Sequence, residues 1–164
     1  MGIQPFFISF EKKGEDFVGF LSIDSLSDST LNQEKILQVA AKRYSSFIEQ
    51  ALTHIQSLNR EKARSKIIKA RHVWKLGDMI LRLIRDLKRM GLEIDGLYEH
   101  LARDLEKKRM WLEKVIIFRN YVSKVSIIPR DSKWSEYSRA PRKSAKLLAK
   151  NTQDSTAQKG SKKG

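Results

Sequence analysis

A mainly α-helical fold is the class this 164-residue sequence predicts, and three observations carry it. Apolar residues recur at three- and four-residue spacing through most of residues 31–126, the period of a helix with one buried face. Only residues 5–24 hold compact runs rich in Phe, Val and Ile around a polar turn. From 127 onward Lys, Arg and Ser dominate, with little to bury. The expected architecture is a small helical bundle with room for a helix-turn-helix-like corner. It comprises an N-terminal β-hairpin and linker over 1–29, a helical domain over 30–126, and a basic, largely disordered tail over 127–164.

In the hairpin, Phe6, Phe7, Ile8 and Phe10 precede a polar turn over 11–16, and Phe17, Val18, Phe20, Leu21 and Ile23 follow. Apolar side chains fall on both faces of the second strand, so the hairpin is expected to dock on the helices, because an isolated two-stranded hairpin is marginal in water. Asp28, Ser29 or Thr30 is placed to N-cap the next helix, whose buried face runs Leu37, Ala40, Tyr44, Phe47, Ile48, Ala51, Ile55 and Leu58. A charged stretch over 59–69 projects or bends, and the core-facing part of the following helix starts near Ala70. Gly91 ends that helix. Residues 92–96 read as a turn in which Asp95 caps a helix through Leu97, Leu101 and Leu105. Trp111, Leu112, Val115, Ile116, Phe118, Val122 and Val125 form the last apolar pattern, and residues 96–125 are either one long helix or two with a tight corner. Pro129 closes the folded part.

Charge is the most informative functional signal. Net charge is +14, with 11 Lys+Arg against 3 Asp+Glu in residues 60–89 and 10 against 3 in 127–164, while 1–59 has 5 against 7 and 90–126 has 7 against 6. Read as one helical pattern from Arg60 to Arg89, the residues Arg60, Arg64, Arg71, Lys75, Arg82, Arg85 and Arg89 fall within a sector of about 80°. Only Asp78 interrupts this ridge. A solvated helix face ordinarily mixes signs, because like charges repel. Six Arg to one Lys also favours guanidinium forks that match phosphate geometry. The tail adds Arg130, Lys133, Arg139, Arg142 and Lys143, interleaved with Trp134 and Tyr137.

Catalytic readings are weak. Glu106-Lys107-Lys108 spells E-x-K, but in a helical pattern, whereas metal-dependent nucleases mount it on a strand beside an Asp. His54, His72 and His100 lack metal-ligand spacing and read as partly exposed helical histidines, and no Gly-rich phosphate loop occurs. Gly77 inside a helix is expected to permit close helix packing, and Trp74, at the margin between the apolar face and the ridge, to pack in the core or, alternatively, to stack on a base or lie along the backbone. The chain has no Cys and no run of membrane-spanning length, and Phe6 stands where a myristoylation site wants a hydroxyl. A cytoplasmic protein without cofactor, metal or membrane partner is expected, nucleoid-associated if it binds DNA.

Three stretches resemble one family. Val73-Trp74-Lys75-Leu76-Gly77-Asp78-Met79-Ile80 is similar to the Tyr-Trp-Glu-Ile-Gly-x-x-Ile signature of the N-terminal helical, winged-helix-like domain found ahead of a PD-(D/E)xK nuclease domain in bacterial proteins. Leu101-Ala102-Arg103-Asp104-Leu105 resembles its Leu-Ser-x-Asp-Leu stretch, and Leu112, Val115 and Phe118 keep the spacing of its last helix. The chain departs from the family in lacking the Gly/Pro turn between the last two helices, in having Arg119 where the family has Tyr, and in lacking the nuclease half. The resemblance implies a DNA-associated helical module without catalysis.

Together these features lead to an expectation of non-catalytic, sequence-tolerant nucleic-acid binding, DNA before RNA, through the ridge and tail. The competing expectation is an assembly protein that forms a homo-oligomer or docks on an acidic protein partner.

Overall fold

The computed structural model describes residues 6–21 and 30–161, and it is mainly helical with an N-terminal strand pair. Five helices, α1 (Thr30–Ser65), α2 (Ala70–Arg89), α3 (Leu97–Leu105), α4 (Arg109–Tyr121) and α5 (Pro141–Ser161), accompany β1 (Phe6–Lys13), β2 (Asp16–Leu21) and β3 (Leu92–Ile94). The stretch 30–126, read from sequence as one domain, is shared between two compact units. Unit 1 comprises 1–53 and 79–112, and unit 2 comprises 54–78 and 113–164.

In unit 1 the hairpin closes through a two-residue loop. Gly14 takes its first central position at φ +67°, a conformation glycine adopts without steric cost. The sheet order is β2-β1-β3, with β2 antiparallel and β3 parallel to β1. The sequence reading of 92–96 as a turn is therefore corrected. Leu92 and Ile94 are buried on either side of exposed Glu93, and this three-residue alternation is too short to stand out beside a turn. Asp95 does not cap α3; its N–H donates to Ile8 O at 2.8 Å, continuing the strand pairing, and the N-cap is Gly96 in the left-handed region.

One sheet face docks on α1 as expected. Phe10 stacks on Tyr44 at 4.1 Å, and Phe17 meets the same ring edge-on at 4.9 Å. Tyr44 is fully buried, donates to Asp104, and is pushed well above the usual phenol range, first by burial and then by that carboxylate. Asp104 also receives Arg103, which reaches Phe10 O at 2.6 Å. The opposite sheet face carries Phe7, Val18 and Phe20, each about 40% exposed.

In unit 2, the apolar stripe of α1 continues through buried Ile55 and Leu58, and Ala70, Val73 and Leu76 of α2 and Val115, Phe118 and Val122 in and after α4 are buried as well. The expected disordered tail is corrected for residues 130–151. Ile128, Trp134, Tyr137 and Ala145 are buried, Trp134 and Tyr137 lie 5.3 and 5.1 Å from Phe118, and α5 begins at Pro141. Pro129 thus does not end the folded part. Sparse apolar residues suffice here because Trp134 and Tyr137 are large and both pack on Phe118. The helix-capping candidates Asp28 and Ser29 lie outside the described residues.

The single pattern from Arg60 to Arg89 is also corrected. α1 stops at Ser65, where the Ser65 hydroxyl donates to Glu61 O at 2.8 Å, and Lys66 takes φ +61° with its N–H on Lys62 O at 2.8 Å. Nothing resembling a Gly or Pro marks the break in sequence; continuing the helix past Ser65 would have placed Lys66 and Lys69 on the buried stripe. A second break, open in the sequence, separates α3 from α4 at Glu106, with φ +55°.

Candidate nucleic-acid interface

Folding sorts the charge more sharply than the sequence does. Unit 2 holds 20 Lys+Arg against 6 Asp+Glu, and unit 1 holds 13 against 13. The whole excess of +14 belongs to unit 2.

Within unit 2 the break between α1 and α2 concentrates that charge. Arg60 and Arg64 lie one turn apart on α1; Arg64, with Lys62, falls in the last turn, where cations are favoured by the negative end of the helix dipole. The chain then passes through Lys66 and Lys69 and pairs with the loop before Trp134. Ala70 N–H donates to Ser132 O at 2.9 Å and Trp134 N–H to Ile68 O at 2.8 Å, with Lys69 opposite Lys133 in an antiparallel bridge. In this geometry the two lysines are the non-hydrogen-bonded pair, the closer of the two cross-strand arrangements. Like charges directly opposite each other destabilise such a pair. The backbone thus holds two exposed ammonium side chains together.

Beside them, Ser57, Arg60, Glu61, Arg64, Lys69 and His72 line an open cleft of about 380 Å3. Its one carboxylate, Glu61, is taken by His72, with Nδ1 2.7 Å from Oε2. His54 Nε2 contacts His72 O at 2.7 Å, so two histidines distant in sequence share one hydrogen-bonded chain. Among the described residues, neither Arg60 nor Arg64 is ion-paired. A polyanion reaching this cleft would meet Arg60, Arg64 and Lys69 with Lys133 adjacent.

The sequence-predicted residues divide accordingly. Arg71 does not project freely: it is half-buried, and its Nε donates to Ile128 O at 2.6 Å, clasping the segment after α4. Lys75 is exposed in unit 2. Arg82, Arg85 and Arg89 are exposed but belong to the neutral unit 1, where Arg89 lies 3.8 Å from Asp86 and Asp86 accepts from Arg43 at 2.7 Å. Asp78, which seemed to interrupt the ridge, is buried and held by Arg119 at 3.0 Å. Of the tail residues, Arg130, Arg139 and Lys143 are exposed, Lys133 enters the bridge, and Arg142 lies over Tyr121 at 5.6 Å.

No aromatic side chain expected to accompany the charge is available for stacking on a base. Trp134 and Tyr137 are buried, and Trp74 is core, donating from Nε1 to Val122 O at 2.7 Å under the Arg119 guanidinium. Lys66 and Lys69 are the contributors the ridge reading missed. The proximity of Lys69 to Lys133 depends on a pairing of residues more than sixty positions apart, and only the surplus charge was visible beforehand.

No family model, curated protein or solved structure matches the chain. Among the described residues no helix is long and apolar enough to cross a membrane, and no cluster of acidic and His side chains forms a metal site.

Proposed function

We propose that this protein is a non-catalytic nucleic-acid-binding module that grips the phosphate backbone, duplex DNA first, through unit 2. The observation that carries this reading is the enforced Lys69–Lys133 pair beside Arg60 and Arg64, in a unit holding the entire net charge. Such a cluster gains free energy from releasing the counterions condensed on a polyanion, and its contacts position the nucleic acid without reading bases. Among the described residues that line the cluster none is an aromatic ring open for stacking, which favours backbone contact over single-strand recognition. The resemblance to a DNA-associated helical module agrees with this role, its Trp74 and Gly77 serving to build the unit. A cytoplasmic setting, on the nucleoid, accompanies this reading.

Fluorescence anisotropy with a labelled duplex tests it. The double variant Lys69→Glu/Lys133→Glu should lose at least tenfold in affinity while keeping its helical circular dichroism. Unchanged affinity would remove the cluster from the interface.

A second reading, self-assembly, draws on unit 1. Register places Phe7, Val18 and Phe20 on one sheet face, and β2 is an edge strand, the position at which another chain can add. Light scattering of Val18→Lys against the unaltered protein measures that contribution.

A further inference from the structure

We infer that a groove beside α5 in unit 2 docks an acidic amphipathic helix of a partner protein. This does not depend on the nucleic-acid reading. The groove has a volume of about 530 Å3, within the range of ligand-accepting pockets, and Ile117 of α4, Pro141 and Leu147 give it an aliphatic floor. Arg142, Lys143, Lys146 and Lys150 supply its charged rim. Two i,i+4 rows on α5 produce this pattern, Arg142-Lys146-Lys150 and Lys143-Leu147. Leu147 is 53% exposed while Ala145 is fully buried, so the leucine is not part of the face by which α5 packs.

The chemistry of the floor and rim selects the occupant. Phosphates would use the cations and gain nothing from aliphatic carbon. Bases need a flat π face, and the ring of Tyr121, one turn beyond Ile117, is already covered by the Arg142 guanidinium at 5.6 Å and the Lys146 ammonium at 5.5 Å. Those contacts hold two rim cations in place before any partner arrives. A helix with apolar residues at i, i+3, i+4 and i+7, flanked by Asp and Glu, satisfies both parts at once: its apolar stripe covers Ile117 and Leu147 while its carboxylates meet the rim.

The test uses the full chain and a fluorescent synthetic helix of about 15 residues, with Leu at those four positions and Glu on both flanks. The comparison probe is a scrambled isomer with the same charge but no apolar stripe. The patterned peptide should bind at least tenfold more tightly than the isomer, and Leu147→Asp should abolish the difference without changing helix content. Equal binding of the two peptides to the unaltered protein would overturn the proposal, and needs no variant to be folded. It would also be overturned if Leu147→Asp left the difference intact. The same holds if single-stranded DNA or vesicles of anionic phospholipid lost more affinity than the patterned peptide on that substitution.

Discussion

At Gly77, α2 packs tightly against α4 within unit 2. A Cβ built there would lie 2.7 Å from Arg119 Cβ and 3.1 Å from Val115 O, the stem of one side chain and the backbone of its helix. Alanine ordinarily improves a helix interior over glycine by up to about 1 kcal/mol. Here overpacking wins: Gly77→Ala should lower stability by about 1–3 kcal/mol in urea denaturation. The same shift would disturb Arg119, which covers Trp74 at 4.5 Å and binds Asp78. Tyr44 in unit 1 gives a pH signature. Burial and Asp104 raise its pKa above the ordinary 10.0, so the folded chain keeps a proton that the unfolded chain releases. Its stabilisation is intact below pH 10.0 and declines above it, by about 1.4 kcal/mol per pH unit. Denaturation midpoints compared across that range should fall more steeply for the unaltered protein than for Tyr44→Phe.

At the scale of elements, two breaks decide the topology, and each rests on a residue that a sequence pattern would not choose. Lys66 and Glu106 both adopt the left-handed conformation, which costs an L-residue roughly 1–2 kcal/mol. Glu106→Gly should therefore raise the thermal midpoint, with a gain of about 1 kcal/mol. The Lys69–Lys133 bridge behaves oppositely in folding and binding. Lys69→Glu turns a repulsive cross-strand pair into an attractive one and should stabilise the fold by a few tenths of a kcal/mol while weakening duplex binding. Loss of both stability and affinity would indicate that the lysine serves packing alone.

The same elements explain what the sequence disclosed. The buried stripe of α1 from Ala40 to Leu58, the glycine stop at Gly91, the close packing at Gly77 and the start of α2 at Ala70 were legible, because each depends on periodicity or local backbone chemistry. β3 was not, since its three residues become a strand only through parallel pairing with β1. The order of residues 130–151 was hidden for a related reason: Trp134 and Tyr137 find their partner in Phe118, across a gap no local window spans. Arg71 was misjudged because the carbonyl it clasps, Ile128 O, arrives from the same distant segment.

For the molecule as a whole, the telling contrast is between a unit with balanced charge and a unit carrying +14. Concentrated charge of one sign opposes compaction and strengthens attraction to polyanions. The partition also narrows the proposed interface: Arg60, Arg64, Lys69 and Lys133 lie in the charged unit, with Arg82 and Arg85 outside it. The deciding measurement is duplex affinity as a function of salt for the unaltered protein, Lys69→Glu/Lys133→Glu and Arg82→Glu/Arg85→Glu. If about six phosphates are neutralised, log affinity against log salt should have a slope of about −5.4 for the unaltered protein and for the Arg82/Arg85 variant, and about −3.6 once the lysine pair is reversed. A slope near zero, or one that responds to Arg82/Arg85 and not to the lysine pair, would contradict phosphate binding by unit 2.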